Sequence, residues 1–562
     1  MHWLNHNRRT ALRLLSHTAK RAQSSSASVP PRPPPNASSS SSSSGSTTIV
    51  SDRLARTAGV KAGAASSGMA EGKGAVAGLA GKEGAAPSRP QPTELLEVLQ
   101  ETIKTHGPLP VSRYMTLCLA HPTLGYYTTR KVFGKEGDFV TSPEISQVFG
   151  ELLAIWYVTQ WLAQGTPKKV RFVELGPGRG TLLADILRTF RALPPHSRPP
   201  VTSIHLIESS DQLRAVQKSA IDAVGCGDVP TKWYGSVKEV EPAEEGEFTM
   251  LVAHEFFDAL PVHIFEHTQK GWREVLVDVA DSKAITTPST PSLRLVLAPS
   301  PTPASALYSS LAQLASSSGT LPQPDLLSAS PAPRPSVLNV DTTLGASPPP
   351  RPTQAGGSED LGFAALASSS LAKNSGKIDA AASLTAQRFA RLPLGSRIEV
   401  SPASWEIARD VAKLLVGGEK GEGKGAGLVV DYGDAKAFGR SWRGFRKHQV
   451  VDPLTEPGHT DLTANVDFSY LAEAMGEFVD THGPLPQSRF LTSLGLQPRL
   501  ASLLRNAKTD ERRKEIESAA KRLVDETGMG GQYRVMGVTP KRKEEQRGGA
   551  EVSEGVFPFD LK

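Results

Sequence analysis

A chain of 562 residues could hold three or four average domains, yet 50 Gly and 44 Pro, many of them clustered, argue that much of it never packs. The net charge of +6 belongs to the first 50 residues, which carry six Lys or Arg and no Asp or Glu; the rest is neutral, which disfavours nucleic acid as a partner. Two cysteines, Cys118 and Cys226, make neither a disulfide framework nor a thiolate metal site, so no metal is expected.

The opening MHWLNHNRRTALRLLSHTAKRAQSSS is rich in Arg and Ser, lacks acids, and sets Leu4, Leu12, Leu14 and Leu15 among basic residues. That is the composition of a mitochondrial presequence, assigned to residues 1–30 and implying the matrix. Residues 31–92 are mostly Ser, Pro, Gly and Ala and read as a disordered arm. The first half of the folded body runs over 93–280. TELLEVLQETIK at 93–104 has helical spacing behind a Thr cap, and EISQVFGELLAIWYVTQWLA at 144–163 repeats the pattern at greater length, with Ser142 as its N-cap. Alternation follows: strand 170–175, helix 181–192, strand 202–208, helix 210–224, strands 231–237 and 248–254, then hairpin strands 262–268 and 272–279.

Residues 281–385 are of low complexity and read as a long surface insertion. The body resumes over 386–545 with helix 402–416, strand 427–432, helices near 467–479 and 508–526 and strand 531–538; 546–562 is a tail. Strands separated by helices of this length predict an α/β fold, a Rossmann-like parallel sheet with helices on both faces. The early helices and the hairpin would form an added substrate-side layer. No stretch approaches 18 uninterrupted apolar residues, so no stable membrane insertion is expected. THGPLP occurs at 105–110 and again at 481–486, two similar helix starts with no functional assignment.

The chemistry centres on FVELGPGRGT at 172–181. Counting from Gly176, the third glycine of a dinucleotide fingerprint would fall at 181, where Thr stands; it comes one residue early, at Gly180. No Gly-Lys-Ser/Thr follows, so a phosphate-binding P-loop is excluded. The pattern is Glu174 on a strand, then Gly176, Gly178 and Gly180. It resembles motif I of class I S-adenosylmethionine-dependent methyltransferases, where the backbone approaches an amino-acid moiety and no phosphate needs neutralising. An acid ending the next strand would accept hydrogen bonds from ribose hydroxyls, and SIHLIES supplies Glu208. Near the end of the fourth strand, AHEFFDALPVHIF places Glu255 and Asp258 toward a substrate, and a carboxylate between a buried strand and two Phe needs a partner or a task.

Five segments in order, GYYTTRKVFGKEGDFVTSPEISQVFGELLAIW at 125–156, FVELGPGRGT, AHEFFDALPVHIF, LVVDYGD at 428–434 and GHTDLTANVDFSYL at 458–471, together resemble the MidA family, the mitochondrial complex I assembly methyltransferases. The resemblance covers most of 93–280 and 390–540. It implies a protein arginine N-methyltransferase using S-adenosyl-L-methionine, with a core subunit of respiratory complex I as protein substrate and symmetric dimethylarginine as product. It also implies a segment over the cofactor carrying Asp138 and Thr141. His254 stands with Glu255 and Asp258 where a substrate would be met, but bacterial relatives commonly carry Asn in its place, so it is not treated as indispensable. Guanidinium stays protonated at neutral pH, and carboxylates in a fork orient it and favour its loss of a proton. Glu255 is the first candidate for that grip, with Asp258 and Asp431 behind it and Asp461 on the substrate side. The alternative is a non-catalytic assembly chaperone that keeps the fold.

Overall fold

The computed structural model describes residues 93–129, 141–281, 291–317, 384–417, 423–541 and 555–561. The presequence, the arm, Asp138 and most of the insertion lie outside them. The strands, in chain order, are β1 (Leu109–Pro110), β2 (Lys169–Leu175), β3 (Val201–Ile207), β4 (Thr231–Tyr234), β5 (Glu247–His254), β6 (His263–Thr268), β7 (Gly271–Val279), β8 (Leu293–Leu297), β9 (Arg397–Val400), β10 (Lys424–Asp434), β11 (Arg443–Arg446), β12 (Gln449–Val451), β13 (Asp461–Thr463), β14 (Val466–Asp467), β15 (Val479–Pro486) and β16 (Tyr533–Pro540).

The main sheet runs β15-β16-β10-β5-β2-β3-β4, with β14 beside β10. From β10 to β4 it is parallel, and β16 enters antiparallel between β10 and β15. The chain builds outward from β2 to β4, then crosses back to place β5 on the other side of β2. That reversal opens a crevice at the carboxyl ends of β2 and β5, the place where open α/β sheets bind ligands. The helices of the body include α1 (Glu94–His106), α2 (Val111–Ala120), α3 (Gln147–Ala163), α4 (Thr181–Ala192), α5 (Asp211–Ala223), α6 (Pro303–Ser317), α7 (Leu384–Arg391) and α8 (Pro402–Leu415). One face of the sheet packs on α3 and α4 through Leu152, Trp156, Phe172 and Leu183; the other packs on α8 through Val173, Leu251, Val411 and Leu415. Both faces are covered, so β5 is buried at every position, and its second half, MLVA at 250–253, is a continuous apolar run.

The Thr93 cap forms as expected, its hydroxyl accepting from the Leu96 amide. At the second helix the expectation needs correction. Residues Ser142–Ile145 make a single turn whose N-cap is Thr141, and α3 begins only after Ser146, whose φ of −158° breaks the run and whose side chain accepts from Val148 N. A Ser with a competing local hydrogen bond ends one helix and caps the next. The predicted strand at 531–538 starts later, at Tyr533, because Met529–Gln532 forms a helical turn.

The hairpin β6–β7 joins β1, β8 and β9 in a second, antiparallel sheet. Two parts of the chain expected to be peripheral belong to the packed body. Within 281–385, β8 and α6 are ordered, and Tyr308 packs on Phe265 and Phe389; alternating LRLVL and the apolar spacing of PASALYSSLAQL account for both. In the tail, the Phe557 carbonyl accepts from Trp156 Nε1 at 2.9 Å, and Val556 and Phe557 are buried. Both copies of THGPLP run through a strand into a helix, with Pro110 and Pro486 at the N-cap.

Arg171 on β2 is 2% exposed and donates to Thr249 Oγ1, Glu241 O and Leu414 O at 2.9, 2.6 and 3.1 Å, with Glu247 Oε2 at 3.9 Å. It pins β2 to β5 and to the end of α8. Truncating one partner of such a network leaves the others buried and unpaired. Arg171→Met should lower stability by about 3 kcal/mol, read as a reduced urea midpoint with cofactor affinity unchanged under native conditions.

Candidate active site at the carboxyl ends of β2 and β5

β2 ends at Leu175 and the chain turns through Gly176, Gly178 and Gly180 at φ of 62°, 52° and 78°. Three left-handed positions explain three glycines, and the last is the N-cap of α4. A Cβ at Gly176 would stand 3.0 Å from the Phe256 ring, and one at Gly180 would stand 3.2 Å from Gln217 Cα. Gln217, fully buried on α5, donates Nε2 to Gly178 O at 2.8 Å and to Glu208 Oε2 at 3.1 Å, while its Oε1 accepts from Trp233 Nε1 at 2.8 Å. One amide therefore ties the turn to the acid that follows β3. Glu208 also accepts from Ser210 N at 2.8 Å; burial raises its carboxyl above the usual range, against these hydrogen bonds and Arg214. Glu174 is 2% exposed with Oε2 unpartnered, and burial pushes it up to about 8.

The loop after β5 supplies the second half. Glu255 adopts φ 50°, rare for a residue with a Cβ, and its amide donates to Val430 O at 2.9 Å. The reversal is held by Asp431, fully buried on β10. Its Oδ2 accepts from the amides of Phe256, Phe257 and Asp258 at 3.2, 2.9 and 3.3 Å, and its Oδ1 from Tyr432 N at 2.9 Å. With both oxygens bound to backbone amides, Asp431 sets the loop and is poorly placed to grip a substrate. Burial and the carboxylates of Asp258 and Glu255 raise it well above its usual range, against those amides.

Glu255 and Asp258 lie close together in the loop after β5, and the charge of Asp258 is felt at Glu255. Tyr533 Oη donates to Glu255 Oε1 at 2.7 Å. Burial pushes Glu255 up to about 8, with the Tyr533 hydroxyl and the Ser142 amide holding it down and Asp258 and Glu144 adding to the rise. Asp258 is pushed up to about 6 by burial, with the Arg443 guanidinium opposing. Glu144 stands in the turn after Thr141, its Oε2 buried and unpartnered and its carboxyl raised by burial. Asp461 accepts from Tyr127 Oη at 3.1 Å, and the same Tyr127 senses the charge of Asp258. His254 is held neutral by burial, lowered to about 3, and its Nε2 makes no hydrogen bond, standing 3.6 Å from Glu255 Oε1.

The structure thus brings together Glu174, Gly176, Gly178, Gly180 and Glu208 on one side of the crevice and Glu255 and Asp258 on the other. Thr141 caps the turn that reaches Glu255 and accepts from Glu144 N and Ile145 N through its carbonyl. Sequence reasoning missed Gln217, Glu144 and Tyr533. Gln217 sits on a polar helix among six other polar or charged residues of Asp211–Ala223, and only the fold singles it out. Glu144 read as an ordinary first-turn acid.

A glycine turn after β2, with Glu174 on that strand, Glu208 after β3 and Glu255 after β5 in a sheet of order β4-β3-β2-β5-β10-β16-β15, defines a class I methyltransferase fold. A protein-family profile described as "Putative S-adenosyl-L-methionine-dependent methyltransferase" matches residues 152–330 and 349–485, running into the region expected to be insertion. A mitochondrial protein arginine methyltransferase of Mus musculus, NDUFAF7, is 32% identical over 470 residues, 81% of this chain and 86% of that protein. Its Danio rerio counterpart is 34% identical over 427 residues, 73% and 78% of the two chains. A Burkholderia thailandensis structure with S-adenosyl-homocysteine bound has the same fold, with TM-score 0.52 and 22% identity over 79% of this chain and 91% of that one. The chain belongs to the MidA family of S-adenosyl-L-methionine-dependent methyltransferases, together with the NDUFAF7 proteins.

Asp431→Ala should cost about 2–4 kcal/mol, because three amides in a tight reversal lose their acceptor. Asp431→Asn keeps one oxygen and should cost less than half as much. Equal losses in denaturant titrations of the two variants would show that the carboxylate does not hold the loop.

Proposed function

We propose that this chain is a mitochondrial matrix protein arginine N-methyltransferase that uses S-adenosyl-L-methionine. Its substrate is a core subunit of respiratory complex I during assembly, and its product is symmetric dimethylarginine. The observation that carries this reading is the pairing of a glycine turn with an acid-lined crevice, Glu255 and Asp258 beside Glu144, which suits a cationic side chain. The named activity and location of the mouse and fish relatives support the same target class.

The residues present fit the methyl donor. Gly176, Gly178 and Gly180 let the backbone approach it, Glu208 retains lone pairs for ribose hydroxyls, and Glu174 presents an unpartnered carboxylate oxygen to a ligand that brings an ammonium and a sulfonium. When bound, the donor supplies an electrophilic methyl carbon. Glu255 and Asp258 hold the guanidinium so that one nitrogen lone pair aims at that carbon. With the donor bound, Glu255 would take the proton that the guanidinium nitrogen loses on methylation, and the donor would be left as the neutral thioether. A carboxyl whose proton affinity lies near the working pH is suited to that exchange.

Gly178→Val should abolish calorimetric binding of S-adenosyl-L-methionine, since a β-branched residue at φ 52° strains the turn and fills its space. Glu255→Gln should keep donor affinity and lower kcat by about 10²- to 10⁴-fold; undiminished turnover would refute the assignment. Below about pH 8 in the free protein Glu255 is protonated and cannot accept a proton. Accordingly kcat/KM should rise with pH to a plateau above about 8, and Glu255→Gln should flatten that limb.

A further inference from the structure

Tyr533 is far from every motif in the sequence, yet it reaches the centre of the crevice. It pairs with Tyr432 in the register of β10 and β16, two strands away from β5, and its hydroxyl crosses that distance to Glu255 Oε1. The ring is 1% exposed. It is held between Tyr432, with centroids 4.1 Å apart, and His254, which lies parallel within 14° at 6.4 Å. Buried phenols take a hydrogen-bond partner, so Glu255 could in principle serve Tyr533 and not the reverse. The local backbone argues otherwise. Glu255 occupies a left-handed conformation at the end of β5, and the Asp431 clamp begins only at Phe256. Among the described residues, its carboxyl is bound by the Tyr533 hydroxyl and the Ser142 amide, with the neutral His254 ring farther off, its Nε2 3.6 Å from the same Oε1.

We infer that Tyr533 is the positioning residue of this site: its hydroxyl holds one oxygen of Glu255 in a set orientation so that the carboxylate can receive the substrate guanidinium. This rests on the proposed function for the identity of the substrate, but the link between Tyr533 and Glu255 stands on geometry alone. The hydroxyl donates to the charged form of Glu255 and therefore favours it. The phenol itself stays protonated, since burial raises it well above its usual range. It acts as a fixed donor and does not take the substrate proton. The hydroxyl also leaves Glu255 free of a cationic side-chain partner that a guanidinium would have to displace.

The test compares Tyr533→Phe, Glu255→Gln and the double variant in the full chain. Tyr533→Phe keeps the stacked ring, so the fold should be retained. The carboxylic C=O infrared band that disappears in Glu255→Gln reports Glu255 protonation without any substrate. In Tyr533→Phe the proton affinity read from that band should rise at least about threefold, and a midpoint that does not move overturns the proposal. In methyl-transfer assays on complex I subunits, Tyr533→Phe should lower kcat about tenfold with KM for S-adenosyl-L-methionine unchanged. Added to Glu255→Gln it should cost nothing more, because it acts through the carboxylate. An equal loss in both backgrounds would assign Tyr533 a purely structural role and overturn the proposal. If the wild type transfers no methyl group to arginine, the proposed function fails by itself, and the infrared titration still decides the role of Tyr533.

Discussion

The carboxylate of Asp431, bound to three successive amides after β5, is the contact on which the site depends. A parallel strand that ends at a ligand crevice must turn sharply without its own sheet partners, and the amides exposed by the turn need acceptors. The neighbouring strand supplies one side chain that meets three of them. This lets Glu255 sit in a left-handed conformation and brings Phe256 against Gly176. The glycine turn and the loop after β5 therefore share a packing contact, so the position of one constrains the other.

The same geometry concentrates buried acids. Glu174 and Glu255 are each pushed up to about 8 and Asp258 to about 6, burial being the first cause each time. For a carboxyl raised above its unfolded value, the stabilising contribution is complete below the unfolded value and is lost as pH rises through the folded one. Stability of the free protein therefore falls as pH rises from 4.5 to about 8 for Glu174 and Glu255 and from 3.8 to about 6 for Asp258, and the loss is complete above those values. Cationic ligands reverse that sign, since a positive charge beside a buried carboxylate favours its ionised form. Acid placement that would be a defect in a core suits the cationic ligands of the proposed reaction.

Much of this was legible in the sequence. The alternation of elements places β2 to β5 and their helices correctly, and the early third glycine together with Glu174 points to the donor before any fold is seen. Motif logic works there because the turn and its acids are local in the chain. It fails where function is assembled across strands. Asp431 looks like a reactive acid because nothing in LVVDYGD reveals that three amides from another strand converge on it. Tyr533 stands 278 residues from Glu255 and only the order of β5, β10 and β16 brings them together. The insertion and the tail were underestimated for a related reason: Tyr308 and Phe557 lie in segments dominated by Ala, Ser, Pro or charge, and a few apolar residues suffice when a preformed sheet offers them a surface.

The central claim is that this crevice methylates a protein arginine. Mass spectrometry of complex I subunits from cells with and without this protein tests it most directly. The account predicts one dimethylarginine, in symmetric form, that is present with the protein and lost without it, and that Glu255→Gln fails to restore. Identical arginine methylation of every complex I subunit in the two cell populations would contradict it.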